Sequence, residues 1–223
     1  MNIGINLVGV SYSETGRVRN FADSYDSFCD YIVSPLKNSG HSINYYVTTY
    51  ENKKKEEIIN LYNPESYTFL DEYYNRLGGG DLIEYDGRRM GIMFYTYLAS
   101  LFQLKNKNLD LIISTRFDIK FKMNPFNNFH FDFDKFNFIF RDYIYTDYPL
   151  VCDTFYVFPY EMLDSLINAI IEAIDRPYNG LTIGMLNMYQ PMINLVGNDR
   201  VNIACDEFLR SDYNYIFDLN RTE

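Results

Sequence analysis

The stretch that decides the fold is residues 110–122, which read DLIISTRFDIKFK. Its three consecutive aliphatic residues, at positions 111–113, are typical of a strand buried on both faces, as in a parallel sheet. The charged residues Arg116 and Asp118 follow at the carboxyl end of this run. In open α/β sheets ligands bind at that end of the strands. The stretch therefore predicts a central parallel strand that ends in a ligand site.

The polar residues of this stretch alternate with apolar ones. With a strand period of two, Ser114, Arg116, Asp118 and Lys120 share one side. One interpretation is a surface salt bridge between Arg116 and Asp118, which contributes at most about 1 kcal/mol. The other is an anion site, in which Asp118 holds a divalent cation and Arg116 donates hydrogen bonds to phosphate. The residues alone leave both interpretations open.

Composition and charge bound the class of protein. A chain of 223 residues, 47% hydrophobic and 18% aromatic, is of the size and composition of one globular domain. Its formal net charge of -10 argues against a nucleic-acid or membrane-surface partner. The same charge repels phosphate, so a phosphate ligand needs local arginines or a bound metal.

Targeting signals and metal motifs are not evident in the sequence. No apolar run approaches the ~18 residues of a membrane span, and no signal peptide precedes the first strand, so a cytoplasmic protein is expected. The three cysteines have no C-x-x-C spacing, which is typical of reduced thiols. The two histidines are too isolated in sequence to predict a histidine-based metal site.

The chain alternates strand and helix patterns, which predicts a largely parallel sheet covered by helices. We expect Pro35 to close the first helix, and a flexible connector with three consecutive glycines at residues 77–89. Strands are predicted at residues 2–10, 42–50, 67–70, within 110–122, and at 136–140, 151–158, 201–204 and 215–217, and helices at residues 18–36, 51–63, 90–104, 161–174 and 181–196.

Arginines also flank the first turn of the predicted fold. Arg17 and Arg19 precede the first helix, whose free N–H groups favour anions. The alternative is that both are solvated residues of the first turn. The dinucleotide fingerprint Gly-x-Gly-x-x-Gly does not occur, and the loop after the first strand has only Gly9 and Gly16, which disfavours a nucleotidyltransferase phosphate loop.

Several short motifs, taken in order, resemble the GT-A glycosyltransferases of large DNA viruses and of bacterial capsule and lipopolysaccharide gene sets. They are GRVRNF at 16–21, IVSPL at 32–36, TTY at 48–50, Arg89-Met90, Phe94-Tyr95, ISTRFDIKF at 113–121 and Asp153-Thr154-Phe155.

This resemblance implies a GT-A-like α/β fold, a Rossmann-type mixed, mainly parallel sheet flanked by helices, in a single domain. Residues 1–122 would bind a nucleotide-sugar donor such as a UDP-sugar, and residues 123–223 a glycan or glycoprotein acceptor. A viral source would place the protein in the host cytoplasm. The donor-binding residues would be Gly9, Arg17, Arg19, Thr49, Arg89, Arg116 and Asp118.

One position departs from the family pattern. Most GT-A enzymes carry Asp-x-Asp, which binds Mn²⁺ or Mg²⁺ at the donor diphosphate, whereas here Arg116 stands at the first position. Asp118 remains as the expected metal ligand, with phosphate and water completing the shell. Alternatively Arg116 itself neutralises the diphosphate.

The catalytic base is expected in the second half. If the reaction inverts the anomeric centre, Asp153 would take the acceptor proton, with Asp147 in reserve. If configuration is retained, Asp153 would only position the acceptor. Three tyrosines of the loop between two strands could stack on a sugar ring, namely Tyr143, Tyr145 and Tyr148. A non-catalytic module that only holds a nucleotide or glycan is the alternative function.

Overall fold

The computed structural model describes residues 1–14, 18–75, 82–85, 88–142, 150–175, 188–210 and 214–220. The strands are β1 Asn2–Val8, β2 Tyr12–Ser13, β3 Arg19–Asn20, β4 Ser42–Tyr50, β5 Ser66–Leu70, β6 Leu82–Tyr85, β7 Arg88–Gly91, β8 Leu111–Arg116, β9 Ile119–Phe121, β10 Phe136–Asp142, β11 Phe155–Pro159, β12 Val201–Leu209 and β13 Phe217–Leu219. The α-helices are α1 Ala22–Phe28, α2 Ser34–Asn38, α3 Lys55–Tyr62, α4 Glu72–Asn75, α5 Ile92–Phe102, α6 Pro125–Asn128, α7 Leu163–Asp175 and α8 Tyr189–Val196.

A seven-stranded sheet forms the centre, in the order β12-β10-β11-β8-β1-β4-β5. Strands β5, β4, β1 and β8 are parallel, and β10 and β12 run in the same direction as they do. Among the strands described, β11 is the member of this sheet that runs the opposite way. The predicted fold class, a mixed and mainly parallel sheet flanked by helices, is confirmed.

The order of the strands creates a topological switch point between β1 and β8. From β1 the chain moves outward through β4 to β5, and it then returns to the other side of β1 to form β8. Loops that leave two such neighbouring strands diverge at their carboxyl ends and open a crevice, which is where open α/β sheets bind ligands. In this sheet Val8 pairs with Arg116 at that end.

Apolar side chains cover both faces of the sheet. On one face the helical segment that follows β3 packs with α3, through residues such as Phe28, Ile32 and Ile58. On the other face α5 packs with α7 and α8, through residues such as Leu101 and Leu166. This double covering explains why β1 and β8 read as nearly continuous apolar runs.

The first predicted helix continues beyond Pro35. Between α1 and α2 the chain forms a π-helical turn, Cys29–Val33, in which the Ser34 N–H donates to the Cys29 carbonyl. Pro35 then lies in the first turn of α2, where proline is tolerated because an N–H there has no helical partner. The prediction that Pro35 closes the helix is therefore wrong, and the helical stretch ends at Asn38.

The predicted connector at residues 77–89 is partly ordered into strands. Strands β6 and β7 form an antiparallel hairpin, with Leu82 opposite Gly91. The prediction of a flexible connector is wrong for these residues. Each strand is only four residues long and has no clear alternation, so the neighbouring glycines dominated the prediction. The three consecutive glycines lie outside the described residues.

The second half differs from the prediction mainly in strand length. The strand predicted at 151–158 begins only at Phe155, and Val151 forms an isolated bridge with Arg141. Strand β12 extends to Leu209, and β13 pairs with β9 directly after the central strand. Among the described residues, no helix is long and apolar enough to cross a membrane.

Candidate functional site

Arg116 and Asp118 contact each other at the carboxyl end of β8. Strand β8 ends at Arg116, and a turn at Phe117 and Asp118 leads into β9. The guanidinium makes a bidentate contact with the carboxylate. Arg116 Nε donates to Asp118 Oδ1 at 2.9 Å, and Nη2 donates to Oδ2 at 2.8 Å. This planar fork is the strong geometry for an Arg–carboxylate pair.

A second arginine reaches the same carboxylate from the loop after β1. Strands β2 and β3 form a hairpin in which Ser13 pairs with Arg19, and the Phe21 N–H donates to the Ser11 carbonyl at 2.8 Å and closes its base. Arg19 Nε lies 3.3 Å from Asp118 Oδ2. We call Arg19, Arg116 and Asp118 the Arg–Asp–Arg cluster.

The cluster is nearly buried. The Asp118 side chain is 2% exposed, and those of Arg19 and Arg116 are each 15% exposed. Burial alone would lower the pKa of Arg116, but the charge and hydrogen bonds of Asp118, together with the charge of Asp153, outweigh burial and raise it above its usual value. The two guanidinium groups keep their positive charge in a protein whose total charge is -10.

Asp153 lies at the same edge of the sheet as the cluster. It sits in a bend two residues before β11, and because β11 is antiparallel to β8 its start lies beside the end of β8. The negative charge of Asp153 contributes to the raised pKa of Arg116. The structure thus brings Asp153 and Arg116 into one electrostatic neighbourhood, and the predicted catalytic role of Asp153 stays a prediction.

Tyr97 of α5 lies beneath this neighbourhood. Its hydroxyl donates to the Asp153 carbonyl at 3.4 Å, and its ring is 6.0 Å from that of Tyr156, centroid to centroid. Burial, together with the Asp153 charge, raises the pKa of Tyr97 above its usual value. The hydroxyl is therefore a neutral donor at physiological pH.

Gly9 and Thr49 shape the loop that presents Arg19. Gly9 has φ of +101°, which favours glycine, and its N–H donates to the Thr48 carbonyl at 3.1 Å. Thr49 is fully buried; its hydroxyl accepts from the Ser11 N–H at 3.1 Å and donates to Ser11 Oγ at 2.8 Å. Their predicted donor contacts stay predictions, and the observed contacts hold the loop.

Two further residues at this edge were not among the predicted site residues. Asp142, at the carboxyl end of β10, is 5% exposed. Tyr50 ends β4, and its hydroxyl lies 2.6 Å from Thr96 Oγ1. The rule that selected Arg116, a polar residue at the end of an apolar strand, also selects Asp142.

Several predicted site residues lie outside the described residues. These are Arg17, Asp147 and the three tyrosines at 143, 145 and 148, and of Arg89 only the backbone in β7 is described. The predicted anion site at the first helix stays a prediction. In the first turn of α1, the Asp23 carboxylate accepts from the Asn20 side chain at 3.0 Å.

The contacts of Asp118 bear on its predicted role as a metal ligand. Both oxygens of Asp118 accept from Arg116, and Oδ2 also faces Arg19. A carboxylate offers about four lone-pair positions, and here three of them face guanidinium nitrogens. A divalent cation at Asp118 would also lie directly beside two positive groups. The arrangement does not fit Mn²⁺ or Mg²⁺ bound through Asp118.

A cleft of about 530 Å³ lies at the opposite, amino edge of the sheet. Residues from the start of β4 and the end of α3 line it, among them Asn44, Tyr45 and Tyr62. The ring of Tyr62 packs against that of Phe117, the residue between Arg116 and Asp118, at 5.8 Å from centroid to centroid.

The fold and the cluster together define an open α/β protein with a nearly buried Arg–Asp–Arg cluster at its topological switch point. No family model matches the chain, and no curated protein matches it. Among solved structures it is similar to a mutant of the Drosophila β-1,4-galactosyltransferase 7, in complex with manganese, UDP-Gal and xylobiose. The match covers 98% of this chain and 71% of that chain, at 9% identity and a TM-score of 0.46.

Proposed function

We propose that this chain is a glycosyltransferase that moves a sugar from a nucleoside diphosphate sugar, such as a UDP-sugar, to a glycan or protein acceptor. The observation that carries the proposal is the Arg–Asp–Arg cluster at the switch point. Two nearly buried guanidinium groups, each with a planar set of N–H donors, are suited to the diphosphate of an activated sugar. The motif resemblance in the sequence supports the same class.

The arginines would act on the leaving group. As the bond between the anomeric carbon and the diphosphate oxygen breaks, the electron pair stays with the diphosphate, whose negative charge increases. Positive groups fixed in advance at that position stabilise the transition state. Arg116 is fixed by its two hydrogen bonds to Asp118, and Arg19 approaches from the opposite side of the crevice.

Asp153 would act on the acceptor in an inverting reaction. The acceptor oxygen forms the new bond to the anomeric carbon and loses its proton to the Asp153 carboxylate. The position of Asp153 beside the end of β8 supports this role. In a retaining reaction Asp153 would hold the acceptor without taking its proton.

The first test is a donor panel. UDP-, GDP- and dTDP-sugars are incubated with the protein, and donor hydrolysis and the melting temperature are measured. At least one donor should be hydrolysed and should raise the melting temperature, and Arg116→Gln should remove both effects. Arg200→Gln is the control, because Arg200 pairs with Glu161 at the amino edge.

A panel in which no donor is hydrolysed and none shifts the melting temperature would contradict the proposal. Binding without turnover, even with acceptors present, would instead favour a non-catalytic module that holds a nucleotide. The observation that favours this second candidate is that both arginines already pair with the Asp118 carboxylate. The narrower resemblance to viral and capsule enzymes stays a prediction.

A further inference from the structure

We infer that the donor diphosphate binds directly to Arg19 and Arg116 without a divalent cation, and that Asp118 is a positioning residue for both guanidinium groups. This inference rests on the proposed function, whose donor it concerns. It differs from the pattern that the sequence resemblance implies, in which Asp118 holds Mn²⁺ or Mg²⁺.

The contacts of the carboxylate carry the first step. Oδ1 accepts from Arg116 Nε at 2.9 Å, Oδ2 accepts from Arg116 Nη2 at 2.8 Å, and Arg19 Nε is 3.3 Å from Oδ2. An incoming cation would have to displace these groups from a side chain that is 2% exposed. We therefore assign Asp118 the role of orienting the two arginines.

The placement of the arginines carries the second step. Arg116 ends β8 and Arg19 comes from the hairpin after β1, so the two approach from opposite sides of the crevice at the switch point. Each keeps 15% of its side chain exposed. A diphosphate bound at this end of the strands can accept hydrogen bonds from the exposed parts of both guanidinium groups.

The identity of the first motif residue carries the third step. Arginine supplies a permanent charge and a planar donor fork, whereas a metal-binding aspartate in its place would supply a ligand for a cation. With Arg116 present, the positive charge that a metal would bring is already part of the chain. Arginine in place of the first aspartate of Asp-x-Asp therefore changes the site from one that binds a metal ion to one that binds phosphate directly.

The experiment is a calorimetric titration of the full chain with UDP, GDP, dTDP and inorganic pyrophosphate, each in EDTA and again with Mn²⁺. We expect at least one diphosphate to bind in EDTA, with an affinity that Mn²⁺ changes by less than ~3-fold, well below the ~10-fold that a lost charged hydrogen bond costs. Arg116→Gln and Arg19→Gln should each weaken binding ~10- to 100-fold under both conditions.

Asp118→Asn separates positioning from metal ligation. A positioning residue affects binding in EDTA and in Mn²⁺ by the same factor, whereas a metal ligand affects it only when Mn²⁺ is present. Arg116→Lys keeps the charge but loses the fork, so it should bind more weakly than wild type in EDTA. Arg200→Gln serves as the matched arginine control and should bind as wild type does, and circular dichroism verifies that each variant folds.

The outcomes divide cleanly. Binding that requires Mn²⁺ and loses its Mn²⁺ dependence in Asp118→Asn overturns this inference and leaves the proposed function standing. No binding of any diphosphate under either condition overturns both. If Asp118→Asn does not fold, the comparison of Arg19→Gln and Arg116→Lys with wild type in EDTA decides, because unchanged affinity in both variants also overturns the inference.

Discussion

The two edges of the central sheet differ in how deeply their ion pairs are buried. At the carboxyl edge, Asp118 is 2% exposed between two arginines that are each 15% exposed. At the amino edge, Arg200 pairs with Glu161, but their side chains are 44% and 67% exposed. The first pairing is kept inside the protein, whereas the second lies in solvent.

This difference separates a candidate site from ordinary surface charge. Removing charged groups from water is costly, and a buried ion pair often contributes no more to stability than apolar residues of the same size. A solvated pair costs little and contributes little. Stability therefore does not explain the buried cluster at the switch point, and the proposed donor site would account for its position.

The largest effect is expected from Asp153→Asn. If Asp153 takes the acceptor proton, the loss of its basicity should slow sugar transfer by about 10²- to 10⁴-fold. Donor affinity should stay close to that of wild type, because the arginines are intact. Transfer rates are measured with the donor that the panel selects, and Glu161→Gln at the amino edge is the control. An unchanged transfer rate would remove Asp153 from the role of base.

A smaller but still large effect is expected on stability. Asp118→Ala leaves two nearly buried guanidinium groups without the carboxylate between them, and breaking a buried pair in this way costs about 3–5 kcal/mol. The free energy of unfolding is measured by urea denaturation. Glu161→Ala removes a carboxylate from the exposed pair and should cost less than about 1 kcal/mol. Equal losses for the two variants would mean that burial does not distinguish the edges.

Alkaline pH should destabilise the carboxyl edge through Tyr97. Burial raises the pKa of Tyr97 in the folded state, whereas the unfolded chain ionises near the ordinary value of 10.0. Above that pH the folded state keeps a proton that the unfolded state has lost, so the free energy of unfolding falls by up to about 1.4 kcal/mol per pH unit for each such tyrosine. Below it, this contribution is constant.

Tyr97→Phe tests the assignment. The variant should lose part of the pH dependence between pH 10 and 11, since one buried phenol no longer titrates. Urea denaturation at pH 7, 10 and 11 measures the change relative to wild type, and the pH 7 value supplies the baseline cost of the lost hydroxyl. The same pH dependence in both proteins would show that Tyr97 does not contribute to it.

Local patterns predicted most of the first half of the sheet. The predicted strand at 42–50 matches β4. The strand predicted within 110–122 contains β8, because the apolar run and the polar residues after it are contained in the segment itself. The spacing of Arg116 and Asp118 left two interpretations open, of which a salt bridge between the two was one. In the structure a turn at Phe117 produces it, instead of a continued strand.

What the sequence did not predict depends on distant partners. The contact of Arg19 with Asp118 joins residues far apart in the chain and requires the β2–β3 hairpin to fold beside β8. The pairing of β13 with β9, in which the Asn220 N–H donates to the Asp118 carbonyl at 2.6 Å, is equally non-local. Periodicity carries no information about such contacts.

The smallest effect concerns the direct coupling between the partners of the exposed pair. A double-mutant cycle of Arg200→Gln and Glu161→Gln, measured by urea denaturation, should give a coupling energy of about 0–1 kcal/mol, reduced further by salt because solvent and ions screen both side chains. The equivalent cycle of Arg116→Gln and Asp118→Asn should give a larger coupling that salt changes little, since both side chains lie largely out of water. Two cycles with the same coupling and the same salt dependence would contradict the distinction between the edges, because the exposed fraction of the side chains would then not set the strength of the pairs.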